Sequence, residues 1–139
     1  MNEDFVTFEL AKKLKEKGFR EKCIAYYWEN INEHTPFFVV EDNMPEDGIC
    51  LLKLLSNHNC AEWSHFIDAP TISQVLKWLR EEKNIFVVVF IDDDSDCPVT
   101  YNIFKGTDCV CHHHEEYFAL SEWSKCEMAG IEYVLDNLI

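Results

Sequence analysis

The sequence predicts an α+β fold, an antiparallel sheet with helices packed on one face. Three observations predict it. Apolar residues recur at helical spacing in three segments, continuous or alternating apolar runs mark strands between them, and the C-terminal half runs in the order α-β-β-β-α. Two apolar helix stripes and one meander are buried most simply as two layers. That order is the one seen in double-stranded-RNA-binding modules. With 139 residues and 47% hydrophobic content, the chain has the length and apolar share of one domain. It is read as a single domain over 1–139, with a helix and strands in 1–60 and the α-β-β-β-α unit in 70–139. Neither an internal repeat nor a Gly/Ser linker divides it.

The first helix is expected over about 7–17. Thr7 is placed to cap it, Leu10, Ala11 and Leu14 form its apolar stripe, and Gly18 stops it by entering the left-handed region without a Cβ penalty. Phe19 then falls where a Schellman motif folds it back on Leu14. Cys23–Trp28 and Phe37–Val40 read as strands, being β-branched and aromatic. Asn43–Gly48 reads as a turn. Ile49–Leu55 is an apolar run too short to assign between strand and helix. Asn57–Asp68 reads as irregular.

The second helix opens at Ala69-Pro70-Thr71, with Thr71 and Gln74 at capping-box spacing. Ile72, Val75, Leu76 and Leu79 are its apolar face, and Lys77, Arg80, Glu81 and Glu82 its wet side. Ile85–Ile91 is almost continuously apolar and reads as a central strand. Asp92–Asp96 is an acidic turn, Val99–Phe104 the paired strand, Gly106–Asp108 a second turn, and a third strand lies within Cys109–Leu120. Ser121 is the expected cap of the last helix, whose stripe is Ile131, Val134, Leu135 and Leu138.

Charge narrows the function classes. Twelve Lys and Arg face 26 Asp and Glu, a net charge of -14. A surface of that sign repels nucleic acid, favours solubility and suits a basic protein partner. A phosphate-gripping helix start, which double-stranded-RNA binders need, is missing from Ser121–Glu127. A local basic patch of Lys12, Lys13, Lys15, Lys17 and Arg20 on the first helix reads as a solvated face. No run is long and apolar enough for a membrane span. An acidic start, Met1-Asn2-Glu3-Asp4, and seven cysteines in odd number read as a reduced cytoplasmic chain, with most of its thiols packed in the core. Trp28, Trp63, Trp78 and Trp123 read as core, while leaving room for a homodimer contact.

Several stretches resemble a family of small uncharacterised proteins from phages and integrative elements of Bacteroides-type gut bacteria. They are Phe5–Phe19, Ala25–Tyr27, Ala69–Glu82 and Ala129–Leu135, about half the chain, with the second-helix segment the most specific. The resemblance implies a mobile-element origin and a bacterial cytoplasm, and it carries no catalytic residue across. The acidic turn at Asp92–Asp96 and the Cys/His run after Gly106 depart from the family pattern.

Chemistry has few handles. Cys109, Cys111 and His113 form the metal candidate: thiolate and imidazole suit Zn2+, and on a regular strand these three share one face. A fourth ligand would come from His58, Cys60 or His65. The spacing matches no known finger or ribbon. Asp92, Asp94 and Asp96 begin like a calcium loop, but Cys97 stands where Gly is needed and Ile103 where Glu is needed. No Gly-x-Ser-x-Gly, Walker loop or His-Glu-x-x-His occurs, so no catalytic residue is assigned. The leading expectation is therefore a non-enzymatic acidic protein working by protein contact, in its sharper form a nucleic-acid-mimicking decoy. The alternative is a small metal-binding protein using Cys109, Cys111 and His113.

Overall fold

The computed structural model describes residues 4–30, 36–40, 64–92, 94–112 and 116–139, and side chains in 4–27 and from 67 onward within those ranges. It is an α+β protein of antiparallel sheets and helices, in two compact units: residues 5–70, and residues 71–139 together with 1–4. The turn at 43–48 and the apolar run at 49–55 fall outside the described residues.

In the first unit, α1 (Phe8–Glu16) starts where Thr7 Oγ1 accepts from Leu10 N–H at 3.3 Å. It ends in the Schellman motif read from the sequence: Phe19 N–H donates to Leu14 O at 3.0 Å and Gly18 N–H to Lys15 O at 3.3 Å, with Gly18 at φ +95°. Leu14 and Phe19 are both buried. A three-stranded antiparallel sheet follows, in the order β2-β1-β3, from β1 (Ala25–Asn30), β2 (Pro36–Val40) and β3 (Ser64–Asp68). The strand β3 corrects the irregular reading over 64–68, while 57–63 fall outside the described residues. Its short Ser-His-Phe-Ile-Asp run has little apolar alternation, and its structure comes from pairing along β1, Tyr26 with Asp68 through Asn30 with Ser64. Tyr27 closes the unit by donating its hydroxyl to Val6 O at 2.6 Å.

In the second unit, α2 (Ile72–Lys83) begins with the expected capping box: Gln74 N–H donates to Thr71 Oγ1 at 3.1 Å, and Thr71 N–H donates to Gln74 Oε1 at 3.0 Å. It stops at Asn84, which takes the left-handed conformation. Its buried face is Ile72, Val75, Trp78 and Leu79. Trp78 therefore lies deeper than Leu76, because the helix presents i, i+3, i+6 and i+7 to its neighbours. The meander β4 (Ile85–Ile91), β5 (Val99–Lys105), β6 (Asp108–His112) comes next. Its strand order is β4-β5-β6, so among the described residues β4 is at an edge and β5 is central. That corrects the central-strand reading of 85–91.

The last helix, α3 (Trp123–Asn137), follows a 3-10 turn at Leu120–Glu122. Ser121 is not its cap. The N-cap position is Glu122, whose carboxylate accepts from Ala119 N–H at 3.1 Å, at the start of the 3-10 turn; this bond, with Lys125 at 3.3 Å, holds the Glu122 carboxyl below its usual range. Ile131, Val134 and Leu135 of the expected stripe are buried, joined by Cys126 and Gly130. Gly130 is needed for close approach, since a Cβ there would overlap Val87 Cγ1 and touch the Tyr101 ring. Trp123, read as core, is 38% exposed.

Candidate functional site

The packing of Gly130 on Val87 and Tyr101 fixes which face of the C-terminal sheet meets α3. Cross-strand partners share a face. Val87 pairs with Ile103 and Val89 with Tyr101, so Ile85, Val87, Val89, Val99, Tyr101 and Ile103 belong to the helix side. Tyr101 donates its hydroxyl to Glu116 Oε2 at 3.4 Å, and burial with the Glu116 charge pushes its phenol well above the ordinary value. The other side carries Phe86 opposite Phe104, Val88 opposite Asn102, and Phe90 opposite Thr100. Thr100 is buried and donates to Glu116 O at 2.9 Å. Phe86, Phe90 and Phe104 are half-buried and Val88 is 42% exposed. Asn102 Oδ1 is buried with no hydrogen-bond partner among the described residues.

The Cys/His candidate lies on β6, where a bulge changes its geometry. Phe104 pairs with Cys109 but Ile103 pairs with Cys111, leaving Val110 as the extra residue. Cys111 is thus on the helix side with Ile103, and Cys109 on the opposite side with Phe104. The expected sharing of one face by Cys109 and Cys111 does not hold, because strict alternation fails at a bulge. His113, His58 and Cys60, and the side chain of His65, fall outside the described residues. Cys109 instead meets His112, with Sγ 3.7 Å from Nδ1, and its Sγ also approaches Cys111 O at 3.6 Å. Among the described residues no three His, Cys, Asp or Glu side chains gather as a metal would require.

The remaining thiols behave differently from one another. Cys23 and Cys126 are buried, and burial foremost pushes each thiol up to about 12. Such thiols stay protonated and are poor nucleophiles and poor ligands. Cys97 is exposed. At the acidic turn, Asp92, Asp94 and Asp96 are exposed, and Asp92 Oδ2 accepts from the Tyr117 hydroxyl at 3.0 Å.

The first unit has a depression of about 290 Å3 lined by Ala11, Lys15, Phe19, Arg20 and Asp68. Arg20 spends one guanidinium nitrogen on the Phe19 and Lys15 carbonyls, at 2.9 and 3.1 Å. Two cations beside one carboxylate make a mixed-charge hollow, unlike the all-donor cradle that holds phosphate.

Sequence reasoning missed the apolar row on the side of the sheet away from α3. Its signal was present: Phe86, Val88 and Phe90 are apolar at every second position of a strand whose intervening residues are apolar too. Comparison with protein-family models, curated proteins and solved structures finds no match. Among the described residues, no helix is long and apolar enough to cross a membrane.

Proposed function

We propose that the protein is a non-catalytic accessory protein of a phage or integrative element, working in a bacterial cytoplasm by contact with a basic protein partner. One observation carries the reading. The side of the β4-β5-β6 sheet away from α3 carries an apolar row of Phe86, Val88, Phe90 and Phe104, with Val88 exposed, and the exposed acids Asp92, Asp94 and Asp96 lie at the end of β4. An apolar centre with a charged rim is the anatomy of a protein-binding patch, and the rim's sign selects a basic partner. Over 71–139 the chain has five Lys and Arg against thirteen Asp and Glu, a balance that disfavours gripping RNA despite the α-β-β-β-α order.

The test is affinity capture from host cells with the intact chain and with Asp92→Asn/Asp94→Asn/Asp96→Asn. A stoichiometric partner retained by the first, lost by the second and released by salt is the expected result. Equal recovery by both chains would remove the reading. The same acidic surface supports the decoy form, for which the readout is inhibition of a host nuclease that weakens as those aspartates are neutralised.

A further inference from the structure

A strand apolar on both faces normally lies inside a sheet with a neighbour on each side. In β4 all seven residues are apolar, yet among the described residues its only strand partner is β5. Edge strands are ordinarily blunted by Lys, Pro, a bulge or short length. None of these occurs in β4, whose register with β5 runs unbroken from Ile85 opposite Lys105 to Ile91 opposite Val99. Ile91 is 60% and Val88 42% exposed. The strand also reads the same in both directions: Ile85-Phe86-Val87-Val88-Val89-Phe90-Ile91 is a palindrome centred on Val88.

The hydrogen-bond phase identifies the groups on the open edge. Gly106 N–H donates to Asn84 O at 2.9 Å, and Asp92 N–H donates to Pro98 O at 2.8 Å. Positions 84 and 92 therefore turn their backbone groups toward β5. Because that direction alternates along a strand, 86, 88 and 90 do the same. The N–H and C=O groups of Ile85, Val87, Val89 and Ile91 point away from β5.

We propose that β4 pairs antiparallel with β4 of a second copy of this chain about a two-fold axis at Val88, joining two three-stranded sheets into one of six strands. In this register Val87 of each copy exchanges backbone hydrogen bonds with Val89 of the other, and Ile85 does so with Ile91. Val88 faces its own counterpart in a close non-hydrogen-bonded pair, and Phe86 faces Phe90. Every cross-strand pair is like with like, aromatic or β-branched, the kinds that stabilise sheets. The phase agrees with the palindrome: a two-fold axis on Val88 matches outward-facing residues only with outward-facing residues. The pairing strand carries no charge, so two chains of net charge -14 meet along a neutral strip. The dimer stands apart from the basic-partner reading, and salt separates them. Screening strengthens pairing between two acidic copies and weakens an acid–base contact.

The test is the solution mass of the full chain by light scattering and sedimentation, with Val88→Lys and Val88→Glu as charge variants at an exposed position. The wild-type chain is expected at twice 16.4 kDa. Each variant alone is expected to self-associate about ten-fold more weakly or worse, since like charges meet at the axis. An equimolar mixture of the two variants is expected to restore the dimer. Amide exchange gives a readout without substitution: Val87 and Val89 should gain protection as concentration rises, while Val88 stays constant. A wild-type monomer at every soluble concentration, a dimer indifferent to both charge variants, or an open-ended oligomer would each overturn the proposal.

Discussion

The two edges of the C-terminal sheet are built by opposite rules. β6 has five residues, is bulged at Val110, and has Asp108 and His112 exposed at its ends. A bulge and terminal polar groups spoil the flat ladder another strand would need. β4 has seven residues, no charge and no bulge. One edge is protected and the other has no strand partner among the described residues, although both flank the same central strand. The difference teaches that β4 is shaped to be covered, and that the position of an edge in a sheet is separable from the sequence expected there.

Breaking the centre that both edges share should have the largest effect. Ile103 is fully buried between Val87 on β4 and Cys111 on β6. Ile103→Ala removes packing from the helix side and is expected to cost about 2–4 kcal/mol in denaturant unfolding. A loss below about 1 kcal/mol would mean that this side of the sheet is loosely packed and the contrast with the side away from α3 is false. Gly130→Ala acts on β4 from the same side. The added methyl meets Val87 Cγ1 and the Tyr101 ring, and overpacking of this kind costs about 1–3 kcal/mol. It should also weaken self-association, because Val87 is one of the residues that turns its backbone toward the open edge. Equal dimer strength in this variant would show that the β4 backbone is insensitive to its packing.

The protected edge offers a sharper comparison. Deleting Val110 removes the extra residue while leaving Cys109 opposite Phe104 and Cys111 opposite Ile103. The protein should still fold, with stability within about 1 kcal/mol of wild type, but with a flat second edge. Size measurements should then show species beyond the dimer. If the deletion variant remains the size of the parent chain, the bulge is not what protects β6.

The features legible in the sequence were those set by local chemistry. Thr7, Gly18, Thr71 and Gln74 each act within a few residues of themselves, through an orphan amide or a left-handed turn, so their roles could be read before any tertiary contact was known. The stripe on α3 and the strand β5 were likewise legible from period, β4 from its continuous apolar run, and the third strand only as lying within Cys109–Leu120. What failed depended on neighbours. β3 is held by its ladder to β1 rather than by its own composition, Trp78 displaces Leu76 because of where the helix rests, and α3 grows out of a 3-10 turn with Glu122, not Ser121, at its N-cap and no side chain bonded to its first amides. The candidate metal segment shows the cost of assuming alternation: one bulge residue sends Cys109 and Cys111 to opposite faces. The edge position of β4 was illegible for a related reason. A strand completed by its own chain and one completed by a second copy carry the same apolar pattern.

The smallest expected effect lies on the helix side, away from both edges. Burial foremost, and then the charge of Asp4, raise the Glu127 carboxyl above its ordinary value. Asp4 is itself fixed beside α3 by the hydroxyl of Ser124. A carboxyl whose folded value is raised binds its proton more readily in the folded chain than in the unfolded one. Its contribution to stability is therefore complete below the unfolded value of about 4.5 and is lost as the pH rises through the raised value. Glu127→Gln removes that dependence. The variant should melt slightly above the wild type at neutral pH, by an increment of about 0.5 kcal/mol or less. The difference should shrink as the pH falls toward the ordinary carboxylate range. Because Glu127 lies on α3 and not on β4, the variant's solution mass should match the wild type's at every pH tested. A shift in that mass would mean that the dimer contact reaches α3 and is wider than one strand.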